Sequence, residues 1–385
     1  MLLSAADFSA EKLKFIDKFC LLVHCLIFNV QCRPGAVFRP ALKRRVLVYH
    51  LSPTLSSFFL LFFVFFVKTG FQPFLIAIFP QLGYTIQKNI RGKTMDLTSR
   101  QTIQYIKQKY GFQMRKGLGQ NFLCDASALD AIIDAAGLTA ESGALEIGPG
   151  IGVLTARLAS AAKKVAAVEI DTRLLDVLAE TLAGYDNVKI VNADVMKTDL
   201  AALISEEFSD CSSVSIAANL PYYITTPILT RLLEDSSLHV QNIVVMVQKE
   251  VAQRLCAAPG SKAYGALSVL VAYHCIPEIV TVVPASSFLP PPKVDSAVVK
   301  LAMRAAPPVT PRDEKMFFRT VRAAFGQRRK TLINALCGAG LFPGPKDELR
   351  SIVAGLGFNE TIRGEALDLS EFCALSDALS AHGIS

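Results

Sequence analysis

The residues with the most chemistry in them are Asn219-Leu-Pro-Tyr222, which follow the apolar run Ser213-Val-Ser-Ile-Ala-Ala218. They suit substitution at the exocyclic amine of adenine. That nitrogen is a poor nucleophile because its lone pair is delocalised into the ring. An Asn side-chain oxygen and a backbone carbonyl beside Pro221 can both accept its N–H bonds. The two contacts favour a pyramidal nitrogen with its lone pair aimed at an electrophilic methyl group, which is catalysis by orientation and preorganised dipoles. Tyr222 offers a ring on which an extruded base can stack. No general base is demanded, since the nitrogen can lose its proton after transfer.

Upstream lies a glycine-rich turn, Gly148-Pro-Gly150-Ile-Gly152, and two acids, Glu169 and Asp194. Glycines let the backbone turn tightly and approach a ligand with no Cβ in the way. Glu169 can accept hydrogen bonds from both hydroxyls of a ribose, a geometry shared by dinucleotide enzymes and methyltransferases. Asp194 suits an adenine amino group; as a turn or N-cap residue before Met196-Lys197 it would need no ligand. The glycines alone would also serve a plain turn. Val153 stands where the dinucleotide fingerprint G-x-G-x-x-G needs its third glycine, which weakens a dehydrogenase reading.

These residues sit at the ends of short apolar runs: Ala144–Ile147, Val165–Asp171, Val188–Asp194, Ser213–Asn219 and Ile243–Gln248. Helical stretches such as Arg173–Leu182 and Ile224–Leu233 lie between some of them. Strands alternating with helices at this spacing predict a mostly parallel sheet with right-handed crossovers. Ligands of such sheets bind at the carboxyl ends of the strands, where the candidate residues fall.

The combination resembles the RsmA/KsgA family, the ribosomal RNA adenine dimethyltransferases. The resemblance runs through Gly119-Gln-Asn-Phe-Leu123, Glu146-Ile-Gly-Pro-Gly150, Val168-Glu-Ile-Asp171, Asn192-Ala-Asp194 and Asn219-Leu-Pro-Tyr222. It continues with Gln248–Arg254, Tyr264–Ser268 and Phe288-Leu-Pro-Pro-Pro-Lys-Val-Asp-Ser296. It implies an α/β fold, the class I S-adenosylmethionine-dependent methyltransferase architecture. That is Rossmann-like, with a mostly parallel seven-stranded sheet and a small all-helical C-terminal domain. It also implies that Asn121 and Leu123 help hold S-adenosylmethionine, with Gly148 and Gly150 at the turn and Gly148 at the methionine moiety. Glu169 would meet the ribose and Asp194 the adenine, while Asn219 would lie between cofactor and target. Leu220, Pro221 and Tyr222 complete the catalytic turn, and Phe288 would sandwich the target base against Tyr222. The implied product is N6,N6-dimethyladenosine at two adjacent positions near the 3' end of 16S ribosomal RNA. The implied partner is the small ribosomal subunit, met by a cytoplasmic monomer with a role in subunit biogenesis.

Charge is unevenly spread. Residues 1–94 hold 12 Lys and Arg against 3 Asp and Glu, and 14 of the 24 Phe. The remaining 291 residues are slightly acidic, 28 against 30, so RNA binding there must rest on local clusters. One is Lys107, Lys109, Arg115 and Lys116. The other is Phe317–Lys330, with Arg319, Arg322, Arg328, Arg329 and Lys330 and no acid. It reads as a helix packed by its aromatic face and followed by a basic turn directed at phosphates. Residues 1–94 have no counterpart in the family; a natural start at Met95 is the expectation, with a genuine but poorly structured extension as the alternative, and Phe58–Val67 is too short for a membrane helix. The expected parts are therefore 1–94, a methyltransferase domain over 95–305, and a helical RNA-binding accessory region over 306–385 after the proline-rich hinge 306–312. No C-x-x-C occurs and the five His are far apart, so no metal site is expected. The competing readings are the related large-subunit methyltransferases of macrolide resistance, a DNA adenine methyltransferase, a ribosome-assembly binding factor without catalysis, and a nicotinamide dehydrogenase.

Overall fold

The computed structural model describes residues 95–111 and 121–382, all within one compact unit, Pro80–Ser385. The expectations for residues 1–94, and for Arg115 and Lys116, lie outside the described residues. In chain order the elements begin with α1 (Arg100–Tyr110), β1 (Phe122–Leu123), α2 (Ala126–Ala136), β2 (Gly143–Ile147) and α3 (Val153–Ala161). Next come β3 (Lys164–Glu169), α4 (Leu175–Thr181), β4 (Val188–Asn192), α5 (Leu200–Glu207), β5 (Val214–Asn219) and α6 (Thr225–Glu234). The sheet is completed by β6 (Asn242–Gln248), α7 (Lys249–Leu255), α8 (Ala266–His274), β7 (Cys275–Val283), β8 (Phe288–Leu289) and β9 (Ser296–Met303). Four helices follow: α9 (Glu314–Gly326), α10 (Leu332–Gly338), α11 (Lys346–Gly355) and α12 (Leu369–Ala381).

The seven-stranded sheet has the order β4-β3-β2-β5-β6-β9-β7. All neighbouring pairs from β4 to β6 are parallel, and β9 runs antiparallel to both β6 and β7. Strand order reverses between β2 and β5, the switch point at which open α/β sheets bind ligands. Register places Ile147 beside Ala218 there, so Gly148 and Asn219 leave the sheet side by side.

Central strands read as continuous apolar runs because both faces are covered. On one face Ala144, Val165, Ala217 and Met246 meet α1 to α4; on the other Leu145, Ala166, Ile216 and Val245 meet α5, α6 and α8. Successive side chains alternate between faces, which sorts the two sets. The second core runs on without a break into the C-terminal helices, where Tyr273 packs on Phe317 and Phe318 at 5.3 and 5.1 Å between ring centroids. The segment 306–312 lacks regular structure, and the Arg304 guanidinium and the Arg312 N–H tie its flanks to α8 and α12.

Candidate active site

The cleft opens at the switch point. The turn after β2 places Gly148, Gly150 and Gly152 at φ of 72°, 61° and 88°, a region that L side chains rarely adopt. Their roles differ. A Cβ on Gly148 would meet no protein atom within 4 Å, so this residue keeps open space in the cleft. On Gly152 a Cβ would press on Leu182 at 3.1 Å; that glycine serves packing and the start of α3.

Glu169 ends β3 and is buried. Its Oε1 accepts from the Asp171 N–H at 2.8 Å and its Oε2 from the Gly150 N–H at 3.2 Å. Burial raises its pKa, with these N–H groups pulling the other way. Asp194 follows β4 in a turn in which its Oδ1 accepts from the Met196 N–H at 2.9 Å. It therefore fills the turn role anticipated for it while still lining the cleft. Arg231 of α6 braces this turn by donating to the carbonyls of Val195, at 2.7 Å, and Thr198.

Asn219, Leu220, Pro221 and Tyr222 line the opposite wall. The Asn219 Nδ2 donates to the Asn121 carbonyl at 3.3 Å, which leaves its Oδ1 as the acceptor. Pro221's carbonyl accepts from the Ile224 N–H at 3.2 Å and from the Thr225 hydroxyl at 3.0 Å. Both its lone pairs are thus in use, and the Leu220 carbonyl is the acceptor left for an incoming amine. Tyr222 is half-buried, its hydroxyl 2.8 Å from the Ser296 hydroxyl at the start of β9; burial raises its pKa. The ring is held in place by that bond.

Asn121 and Leu123 complete the lining. Phe288 does not join it. Its backbone pairs with Leu123 in a two-stranded ribbon, and its ring is 1% exposed in the core beneath α1 to α4. The expected sandwich of a base between Phe288 and Tyr222 is not assembled here, because pairing with β1 turns the Phe288 ring inward. Of the two, only Tyr222 lines the cleft.

The profile of the ribosomal RNA adenine dimethylase family matches residues 111–354. The chain is 52% identical over 273 residues to ribosomal RNA small subunit methyltransferase A of Geobacillus thermodenitrificans, covering 70% of this chain and 92% of that protein. The chain belongs to the ribosomal RNA adenine dimethylase family. Among solved structures, a dimethyladenosine transferase from Plasmodium falciparum matches with TM-score 0.57 and 30% identity over 68% of this chain and 98% of that one. The 23S rRNA methyltransferase ErmE matches with TM-score 0.52 and 25% identity over 68% and 100%. The class I methyltransferase fold is thereby established for this member of the ribosomal RNA adenine dimethylases, and its cofactor is S-adenosylmethionine.

The residues present fit that cofactor. Gly148 leaves room for a chain to pass, and Glu169 has about two lone-pair directions left beyond its two backbone bonds. Sequence reasoning passed over Glu146, which is fully buried in β2 and lines the cleft. Its Oε2 has no hydrogen-bond partner, and burial pushes its pKa up to about 8. The Thr155 hydroxyl counters that shift without forming a proper hydrogen bond. An orphaned carboxylate oxygen fits a cationic amine of the kind a methionine moiety carries. The available signal was an acid inside the otherwise apolar Gly143-Ala-Leu-Glu-Ile147. Arg231 had no comparable signal, since only the fold brings it to the Asp194 turn.

The basic residues divide. Lys109 pairs with Glu180, and Arg322 reaches Glu234 at 3.2 Å. Arg328 donates to Glu365 at 3.4 Å and to the carbonyls of Lys262 and Tyr264. It fastens the turn after α9 to the segment before α8. Lys107, Arg329 and Lys330 are exposed and form no ion pair among the described residues. Also among the described residues, no cluster of metal-ligating side chains occurs, and no helix is long and apolar enough to cross a membrane.

Proposed function

We propose that the chain transfers methyl groups from S-adenosylmethionine to N6 of two neighbouring adenosines near the 3' end of 16S ribosomal RNA, giving N6,N6-dimethyladenosines. The observation that carries this reading is the side-by-side exit of Gly148 and Asn219 from β2 and β5. It sets a cofactor turn against an amine-orienting turn. The cofactor supplies a methyl group on a sulfonium, an electrophile that needs no further activation. Glu146, Gly148 and Glu169 hold it from the β2 and β3 side, and Asp194, braced by Arg231, receives its adenine. The Asn219 Oδ1 and the Leu220 carbonyl accept the two N–H bonds of the target amine and turn its lone pair toward the methyl group. Tyr222 stacks the extruded base. After transfer the nitrogen sheds a proton to solvent, and the secondary amine that results can present its remaining N–H for a second round.

In this reading residues 95–305 do the chemistry and 306–385 serve the RNA. The chain acts as a cytoplasmic monomer on the small subunit during its biogenesis. The test is incubation of the full chain with labelled S-adenosylmethionine and under-methylated small subunits, large subunits or naked RNA, with products mapped by mass spectrometry. Two adjacent N6,N6-dimethyladenosines in small-subunit RNA are expected. Modification confined to large-subunit RNA overturns the choice of substrate.

A further inference from the structure

Tyr222 points its hydroxyl at Ser296, and the surroundings of that contact are unlike the rest of the cleft. Ser296 opens β9 opposite Gln248 of β6, and the next residue, Lys249, donates its N–H to the Asp295 carbonyl at 3.0 Å. The outer end of the Tyr222 ring is thus bordered by the start of α7 and by the loop Pro290–Asp295. Both elements present a lysine to solvent. Lys249 and Lys293 are exposed, and neither forms an ion pair among the described residues. The single acid of the loop, Asp295, turns its carboxylate back to accept the Ala285 N–H at 3.1 Å.

Tyr223, next in sequence to Tyr222, is 58% exposed, the most exposed large apolar side chain among the described residues. It lines the mouth of the cleft directly after Tyr222, whose own ring is half-buried. An exposed ring next in sequence to Tyr222, together with two unpaired lysines on the elements that border the Tyr222 hydroxyl, matches a single strand of nucleic acid, whose bases stack on rings and whose phosphates attract lysines.

We propose that Tyr223, Lys249 and Lys293 form a strand clamp around the target pocket. Tyr223 stacks the base next to the extruded adenine, and the two lysines neutralise the flanking phosphates. The clamp rests on the function proposed above and adds the contacts that select a single-stranded stretch at the pocket itself, apart from the basic clusters on α1 and after α9. It also gives the second of two adjacent adenines a defined place while the first is methylated.

The test uses the full chain and under-methylated small subunits, with affinity measured across a KCl series. Lys249→Gln with Lys293→Gln should flatten the dependence of log affinity on log salt by about 1.4, at about 0.7 for each phosphate contact to a single strand. Affinity for S-adenosylhomocysteine and the melting temperature should stay as in the parent chain, and the double Arg variant should keep the slope. Tyr223→Ala should weaken RNA affinity roughly tenfold and Tyr223→Phe less than twofold, since stacking needs the ring and not the hydroxyl. An unchanged salt slope overturns the lysine contacts. A neutral Tyr223→Ala, or a Phe variant as weak as the Ala variant, overturns the stacking. If the parent chain binds subunits but transfers no methyl group to their RNA, the proposed function falls, and the slope, a binding measurement, still decides the clamp.

Discussion

Replacing Glu169 is the sharpest probe of the cofactor site, because the structure fixes how much its carboxylate has left to offer. An ionised carboxylate has about four lone-pair directions, and the Asp171 and Gly150 N–H groups take one on each oxygen. About two remain, the number a ribose diol needs. Hydrogen bonds to a charged group contribute roughly 1.5–3 kcal/mol. Loss of one such bond weakens binding roughly 10- to 150-fold, at about 1.4 kcal/mol per factor of ten, and loss of both weakens it further. Glu169→Ala should show this in calorimetry with S-adenosylhomocysteine. Glu169→Gln should fall nearer to Ala than to the parent, because its NH2 must face one of two backbone donors. A 2'-deoxyribose analogue closes the cycle: it should bind the parent more weakly than the natural compound and lose less on mutation. Burial raises the Glu169 pKa, so the charged acceptor is lost on acidification earlier than for a free Glu. Cofactor affinity should accordingly fall more steeply in the parent than in the Ala variant as pH drops through that raised value. A change in affinity below threefold for Glu169→Ala, or equal losses for both compounds, refutes the assignment of the ribose to this residue.

Four further outcomes are expected. Asn219→Ala should lower single-turnover methyl transfer about 10²- to 10³-fold, the range for removing one preorganised polar contact, with RNA affinity within about threefold in a filter-binding assay. Glu146 has a folded pKa of about 8 against 4.5 when free, so its neutral form favours the fold. The stability it contributes is complete below the unfolded value and is lost as pH rises through about 8. Without cofactor, Glu146→Gln should overtake the parent in melting temperature by roughly 4 °C or more at pH 9, since 1 kcal/mol moves a domain of this size by about 2–4 °C; parallel melting curves from pH 5 to 9 would count against it. Arg328→Ala should cost about 1 kcal/mol of stability through its lost carbonyl contacts, read by chemical denaturation. Arg329→Ala with Lys330→Ala should leave stability alone and reduce the salt slope of RNA binding by about 0.7–0.9 per contact.

The parallel strands were legible because burial on both faces writes itself as short apolar runs, and the site residues because they end those runs. The sheet's other edge was not read as strand. Ile276, Ile279 and Val282 are exposed on β7, and Pro277 interrupts its pattern, so the segment lacks the signature of a buried strand. Glu169 and Asn219 announced themselves by position at strand ends, whereas Glu146 lay hidden inside the apolar strand β2. The choice of Leu220 over Pro221 as acceptor depends on where α6 starts, since Ile224 and Thr225 reach back to Pro221. Phe288 carried the right residue type, but its direction is set by pairing with Leu123 across a long sequence distance. Arg328 belonged to a basic run whose members look alike until Glu365 and the Tyr264 carbonyl claim one of them.

The ribbon of β1 and β8 is only two residues long on each side, yet it is fastened well beyond its ladder. Cys124 donates its N–H to the Ser287 carbonyl at 2.7 Å, the Ser287 hydroxyl donates to Asp125 at 2.7 Å, and Arg100 reaches the Ser286 carbonyl. Leu123, on the cofactor side, and the segment that leads into the Lys293 loop therefore move as one piece. A ligand that shifts one shifts the other. Where binding at one side displaces this piece, thermodynamic reciprocity requires each ligand to change the other's affinity by the same factor. Cofactor and RNA binding should thus be coupled, and replacing Ser287 should reduce the coupling.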